Sequence, residues 1–181
     1  MKTPNHLGGH MGVTHIDDAT FKYLVEKFNV KSFLDIGCGP GGMVEHAVNN
    51  GLKALGIDGD PAISGTFPLI KHDFTIDTLH LEDKFDLGWC VECLEHIEEQ
   101  YLFNVFNVFK KCDYIVITHA LPGEEGGKHH VNLQNDEYWI HAFEANGFKY
   151  DQRTTLEIRD ISSMKKNFMR KTGKFFVRIK W

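Results

Sequence analysis

The chain has 181 residues, 42% of them hydrophobic, and a formal net charge of −5. That length suits one domain able to bury a full core, and the negative balance argues against broad electrostatic capture of nucleic acid. No apolar run is long enough to cross a membrane, and no signal-peptide pattern opens the chain. Cys38, Cys90, Cys93 and Cys112 lack zinc-site or disulfide spacing, so the expectation is a cytoplasmic protein with reduced thiols.

Residues 1–16 carry His6, His10 and His15 among glycines, without periodicity. They read either as a loop able to lie over a pocket or as a loose terminus. Asp17 or Asp18 caps a first helix with Phe21, Leu24, Val25 and Phe28 on one face. Ser32–Ile36 is apolar and too short for a helix, so it reads as a buried strand. Gly37, Gly39 and Gly41 then allow a sharp turn and close approach of a ligand. From Met43 to Asn50 the pattern is helical, and Asn49-Asn50-Gly51 stops it. A second strand ends at Asp58, and Gly59-Asp60-Pro61 opens a loop. A weak third strand, Leu69–His72, ends at Asp73-Phe74.

Lys84–Val91 reads as the fourth strand, running into Glu92-Cys93-Leu94-Glu95-His96-Ile97-Glu98 as a helix start. Tyr101–Phe109 continues helical, with Leu102, Val105, Phe106 and Phe109 as a core stripe. The fifth strand is Asp113–Thr118, ending at His119, and a long polar loop follows from Leu121 to Leu133. Loops of that length usually carry function. Asp136–Asn146 reads as a helix with Gly147 just past its end. Tyr150–Ile158 reads as a sixth strand, Asp160–Lys171 as a basic segment, and Lys174–Lys180 as the last strand. The basic segment suits a solvated face or contact with an anionic substrate.

A strand, a glycine turn and a helix N-terminus make a nucleotide cradle, with free N–H groups and the positive end of the helix dipole facing the turn. The acid Asp35 before the turn and the acid Asp58 about twenty residues on favour a neutral or cationic ligand without phosphate. Asp58 is placed to accept from ribose hydroxyls. S-adenosylmethionine is such a ligand.

Leu34-Asp35-Ile36-Gly37-Cys38-Gly39-Pro40-Gly41 resembles the first motif of the class I S-adenosylmethionine-dependent methyltransferases. Phe85-Asp86-Leu87 leading into Glu92-Cys93-Leu94-Glu95-His96-Ile97 is similar to the fourth motif of the same superfamily. The likeness covers roughly residues 14–150. It implies an α/β, doubly wound, mostly parallel seven-stranded sheet with an antiparallel last strand, the Rossmann-like methyltransferase fold. It also implies donor contacts at Asp35, Gly37, Cys38, Gly39, Gly41, Asp58, Gly59, Asp73, Phe74, Cys90 and His15. Asp73 and Phe74 would meet the adenine, and the segment holding His10 and His15 would close the pocket.

Methyl transfer from a sulfonium needs alignment above all, and for an oxygen acceptor a base or a Lewis acid as well. His96, Glu92, His129 and His130 are the candidate catalytic residues. Glu92, Glu95 and His96 fall at i, i+3 and i+4 and share one face if helical. Two carboxylates and an imidazole suit Mg²⁺, Mn²⁺ or Zn²⁺. The string is similar to the Glu-x-x-Glu-His of small-RNA 2′-O-methyltransferases and some ubiquinone-pathway O-methyltransferases. That likeness implies a divalent ion with a further histidine ligand, His129 or His130, or else His119. Metal binding, metal-free catalysis by histidine and a structural motif all remain open at this stage. The expected function is methyl transfer to a small polar or sugar-type acceptor, at oxygen, without nucleic-acid or membrane partners. A dinucleotide-dependent oxidoreductase is disfavoured by Pro40 and Asp35. A non-catalytic donor-binding subunit is disfavoured by Glu92 and His96.

Overall fold

The computed structural model describes residues 6, 7, 9–124 and 127–179. The first residues of the Gly/His segment, Gly8, Glu125, Gly126 and the end of the expected last strand at Lys180 lie outside that range. The strands are β1 (Ser32–Ile36), β2 (Lys53–Asp58), β3 (Leu69–Lys71), β4 (Phe85–Cys90), β5 (Cys112–Ile117), β6 (Phe148–Tyr150) and β7 (Lys174–Arg178). The helices are α1 (Asp18–Phe28), α2 (Gly42–Asn49), α3 (Leu102–Phe109), α4 (Asp136–Ala145), α5 (Gln152–Ile161) and α6 (Phe168–Thr172).

The seven strands form one sheet in the order β3-β2-β1-β4-β5-β7-β6. β1 to β5 pair in parallel, and β7 runs antiparallel to both β5 and β6. This is the expected doubly wound α/β sheet with an antiparallel last strand.

Alternation along the strands explains why both faces are covered. Leu34 and Ile36 of β1 join Phe85, Ile115 and Ile117 in a core closed by α3 and α4 through Val105, Phe106, Trp139 and Phe143. Phe33 joins Leu87, Trp89 and Val116 in the opposite core, closed by α1, α2 and α5 through Phe21, Leu24, Val44, Ala47 and Ile158. The chain order reverses between β1 and β4, so a crevice opens at their carboxyl ends, where open α/β sheets bind ligands.

Two expectations need correction. Tyr150–Ile158 is not a strand: β6 stops at Tyr150, and α5 begins at Gln152. Asp151 caps that helix by accepting the Thr154 N–H, and Thr154, Thr155 and Ile158 face inward. The stretch Glu92–Glu98 is not an α-helix either. Glu92 sits at φ 52, and only Leu94–His96 form a single tight turn. The basic segment divides between the end of α5 and α6. Arg170 turns back to donate to the Ser162 and Met164 carbonyls at 2.9 and 2.8 Å.

Candidate active site

The turn after β1 is held from β2. The N–H groups of Gly37 and Cys38 donate to the Ile57 carbonyl at 2.8 and 3.0 Å. Gly37 is at φ +74, and a Cβ there would stand 2.4 Å from Cys93 Sγ. Gly39 is at φ +50, with His10 Cβ 2.9 Å from where its own would be. Asp58, at the end of β2, closes the turn: Oδ2 accepts the Gly39 N–H at 2.8 Å and Oδ1 the Asp60 N–H at 2.9 Å.

A cavity of about 440 Å³ opens here, lined by Asp35, Gly37, Cys38, Gly39, Asp58 and Gly59, and across the crevice by Asp73, Phe74, Glu92, Glu95 and His96. His15 and His130 also line it. The volume is in the range of small-ligand sites. The structure thus gathers most of the residues singled out from the sequence. It leaves out three. Cys90 is wholly buried in the core, because the β4 alternation turns it away from the crevice. Gly41 caps α2 at φ +81, and its missing side chain makes room for the Phe67 ring instead. His129, at φ 56, lines neither cavity and faces the His6 ring at 6.1 Å.

The acids in the cavity are shifted in opposite directions. Burial, helped by the charge of Asp58, pushes Asp35 well above the usual carboxylate range. Burial would raise Asp73 as well, but the His6 imidazole at 2.7 Å and the Thr75 N–H and hydroxyl hold it below its ordinary value. The N-terminal segment roofs the cavity. His6 meets Asp73, His10 meets Asp60 at 3.2 Å, Thr14 accepts the Gly42 N–H at 3.1 Å, and Lys128 donates to the Leu7 carbonyl at 3.0 Å. His15 sets its ring edge on Phe168 at 5.1 Å.

Among the described residues, one group of ligand-type side chains closes to metal-binding distance: Glu95, His96 and His130, with ligand atoms within 4.8 Å of one another. Glu95 is fully buried, and neither carboxylate oxygen has a hydrogen-bond partner among the described residues. The Glu95 and Ala120 N–H groups lie near enough to oppose the effect of burial, yet burial and the charge of Glu92 keep its pKa well above normal. Burial pushes His96 down to about 4, so its imidazole is neutral at pH 7. His130 Nδ1 lies 2.6 Å from the Glu124 carbonyl oxygen and donates to it, which leaves the Nε2 lone pair for a ligand. Glu92 does not join this group. Its left-handed backbone swings it onto Thr118, whose hydroxyl donates to Oε1 at 2.7 Å and accepts the Glu92 N–H at 3.0 Å. Burial raises its pKa too.

The sequence reading missed Thr118, Phe168, Gly127 and Thr14. Thr118 alone carried a signal, as the last residue before the carboxyl end of a central strand. His119, the alternative ligand, is buried and does not join this group. Its Nε2 meets Lys174 Nζ at 2.9 Å, and Lys174 is ion-paired with Asp136 at 2.6 Å.

A family model described as a methyltransferase domain matches residues 15–122. The chain belongs to that methyltransferase family. Its resemblance to the S-adenosylmethionine-dependent class is therefore sound. The ribosomal protein L11 methyltransferase of Desulfotalea psychrophila is 31% identical over 102 residues, which are 55% of this chain and 31% of that protein. The chain thus spans about a third of that relative's length. Among solved structures, a sugar N-methyltransferase from Streptoalloteichus sp. superposes with a TM-score of 0.67 at 15% identity, covering 90% of this chain and 85% of that one. The magnesium protoporphyrin IX methyltransferase of Synechocystis, with bound S-adenosylmethionine, gives 0.60 at 16%, covering 89% and 77%. No described helix of the chain is long and apolar enough to cross a membrane.

Proposed function

We infer that the protein moves the methyl group of S-adenosylmethionine to an oxygen of a small hydroxyl-bearing acceptor, with a divalent cation held by Glu95, His96 and His130. The observation that carries the donor half is the acid-lined cavity over the glycine turn. Asp35, buried and without a cationic partner among the described residues, suits the donor's ammonium group. Asp58 keeps further lone pairs for ribose hydroxyls, and Asp73 with Phe74 suits an adenine edge and face. The two structural neighbours are named for work on a sugar and on a porphyrin, which supports a small acceptor without naming it.

The residues fit a cation on one further observation: a wholly buried carboxylate with no donor among the described residues, beside two imidazoles, is otherwise a costly arrangement. Mg²⁺, Mn²⁺ or Zn²⁺ there would polarise an acceptor oxygen and lower its pKa. The protein's own residues do the rest. The glycine turn and the acids fix the donor's orientation, the roof of His6, Leu7 and His10 keeps water out, and Glu92 receives the acceptor's proton. The four free cysteines suit a reducing compartment such as the cytoplasm. Titration calorimetry with S-adenosylhomocysteine tests the reading. Tight binding with no uptake of NAD is expected, and the reverse pattern would overturn it.

A further inference from the structure

We propose that the methyl acceptor occupies a second cavity beside Glu92 and His130, and that this subsite accepts neutral hydroxylated molecules while rejecting phosphorylated or carboxylated ones. The proposal rests on the methyl-transfer reading above and names the acceptor side of the same site. The second cavity has a volume of about 310 Å³ and shares Glu92, Gly127, His130 and Phe168 with the donor cavity. In-line displacement requires the acceptor atom to reach the methyl carbon. A space that meets the donor cavity along a common wall, with His130, one of the three cation ligands, and Glu92 on that wall, satisfies this. Gly127 makes the junction possible, since a Cβ there would fall 2.0 Å from His130 Nε2.

The remaining lining decides the chemistry. His119 has both ring nitrogens engaged, Nε2 with Lys174 at 2.9 Å and Nδ1 with the Ala120 carbonyl at 3.1 Å. The Thr172 hydroxyl accepts the His119 N–H at 3.2 Å. Lys171 is paired with Glu124 at 2.5 Å, so the one ammonium lining the cavity is already neutralised. Glu92 spends one oxygen on Thr118 and leaves the other without a donor among the described residues. With the cation's two charges answered by Glu95 and Glu92, and the Lys171 ammonium by Glu124, an incoming phosphate or carboxylate finds no net positive charge. A protonated amine lacks a lone pair to attack with. A neutral hydroxyl meets neither obstacle and can donate to the open oxygen of Glu92, while Phe168 offers an apolar surface for the carbon skeleton. In the reaction the acceptor oxygen forms the new bond to the methyl carbon. The carbon–sulfur electron pair stays on sulfur, and the hydroxyl proton goes to Glu92.

The test uses full-length protein saturated with S-adenosylhomocysteine and Mg²⁺, and paired probes at millimolar concentration: adenosine against its 5′-monophosphate, and methyl glucoside against glucose 6-phosphate. Ligand-observed NMR should show each neutral member binding at least about tenfold more tightly than its anionic partner. Glu124→Lys, an exposed change outside the donor cavity, should erase that preference while S-adenosylhomocysteine binds as before. Binding of neither pair, preference for the anionic members, or a preference untouched by Glu124→Lys each overturns the assignment. Loss of S-adenosylhomocysteine binding by the unaltered protein would instead sink the methyl-transfer reading itself.

Discussion

Asp35→Asn should make the ligand-free protein more stable and its donor site weaker. Asp35 is 4% exposed at the carboxyl end of β1, and burial together with the charge of Asp58 raises its pKa well above 3.8. The sign follows from proton binding in the two states. Below 3.8 both the folded and the unfolded chain hold the proton, and nothing is lost. Between 3.8 and the raised value the unfolded chain releases it while the folded chain keeps it, so stability falls by about 1.4 kcal/mol per pH unit. Above the raised value the loss is complete and constant. Asparagine has nearly the same shape and cannot ionise, so the variant escapes the loss. A chain of this size shifts Tm by about 2–4 °C per kcal/mol. The melting curves of the two proteins should therefore separate by about 3–6 °C per pH unit across that window, the variant being the more stable. Glu92 and Glu95 also have raised values, but they are common to both proteins and cancel in the difference. Calorimetric unfolding from about pH 4 to neutrality measures this. In the same variant, affinity for S-adenosylhomocysteine should drop by about 10–150-fold, the worth of a hydrogen bond to a charged group. Parallel melting curves with unchanged affinity would refute the idea that Asp35 is a buried acid waiting for a cation.

Asp58→Ala removes the acceptor of two backbone N–H groups as well as the proposed ribose contact, so S-adenosylhomocysteine should bind about 10–150-fold more weakly in calorimetry. Equal affinity would place the ribose elsewhere. Gly37→Ala forces a side chain to φ +74 and against Cys93, and should lower the urea midpoint by an amount equal to about 1–3 kcal/mol or more. Cys93→Ala should relieve little of it, because Cys93 Cβ itself would lie 2.7 Å from the new methyl. Glu95→Gln should weaken Mn²⁺ binding, read by electron paramagnetic resonance, by at least about tenfold. Failure of the unaltered protein to bind Mn²⁺ would remove the cation from the mechanism.

The order of strands and helices was legible because each central element announces itself locally. Ser32–Ile36 is a short apolar run closed by glycines, and the stripe Leu102, Val105, Phe106, Phe109 has helical spacing. The α5 region misled because Thr154 and Thr155 favour strands by propensity, while the packing of Ile158 and the cap at Asp151 decide for helix. At the candidate site the spacing Glu92, Glu95, His96 pointed to a cluster, but through a helix that does not form. Glu95 and His96 meet His130 because the loop after β5 is stitched to their turn. The Val131 and Asn132 N–H groups both donate to the Glu95 carbonyl, and the Asn132 side chain donates to the Ile97 carbonyl.

Those stitches expose a general limit of local reading in this fold. Acids at the carboxyl ends of parallel strands sit beyond the ladder that satisfies the backbone, so their own elements supply few partners. Asp73 takes His6, sixty-seven residues away, and Asp60 takes His10, fifty residues away. A Gly/His-rich stretch without periodicity shows neither pairing. What it does carry is composition: imidazoles able to answer carboxylates, and glycines such as Gly9, where a Cβ would stand 3.0 Å from the His96 ring, that let the chain run close over a pocket. The roof is thus specified by the acids it covers rather than by any structure of its own. Replacing His6 and His10 together with glutamine should therefore loosen the roof and speed release of S-adenosylhomocysteine while leaving the melting of the sheet unchanged. Unaltered release would mean that the acids do not hold it.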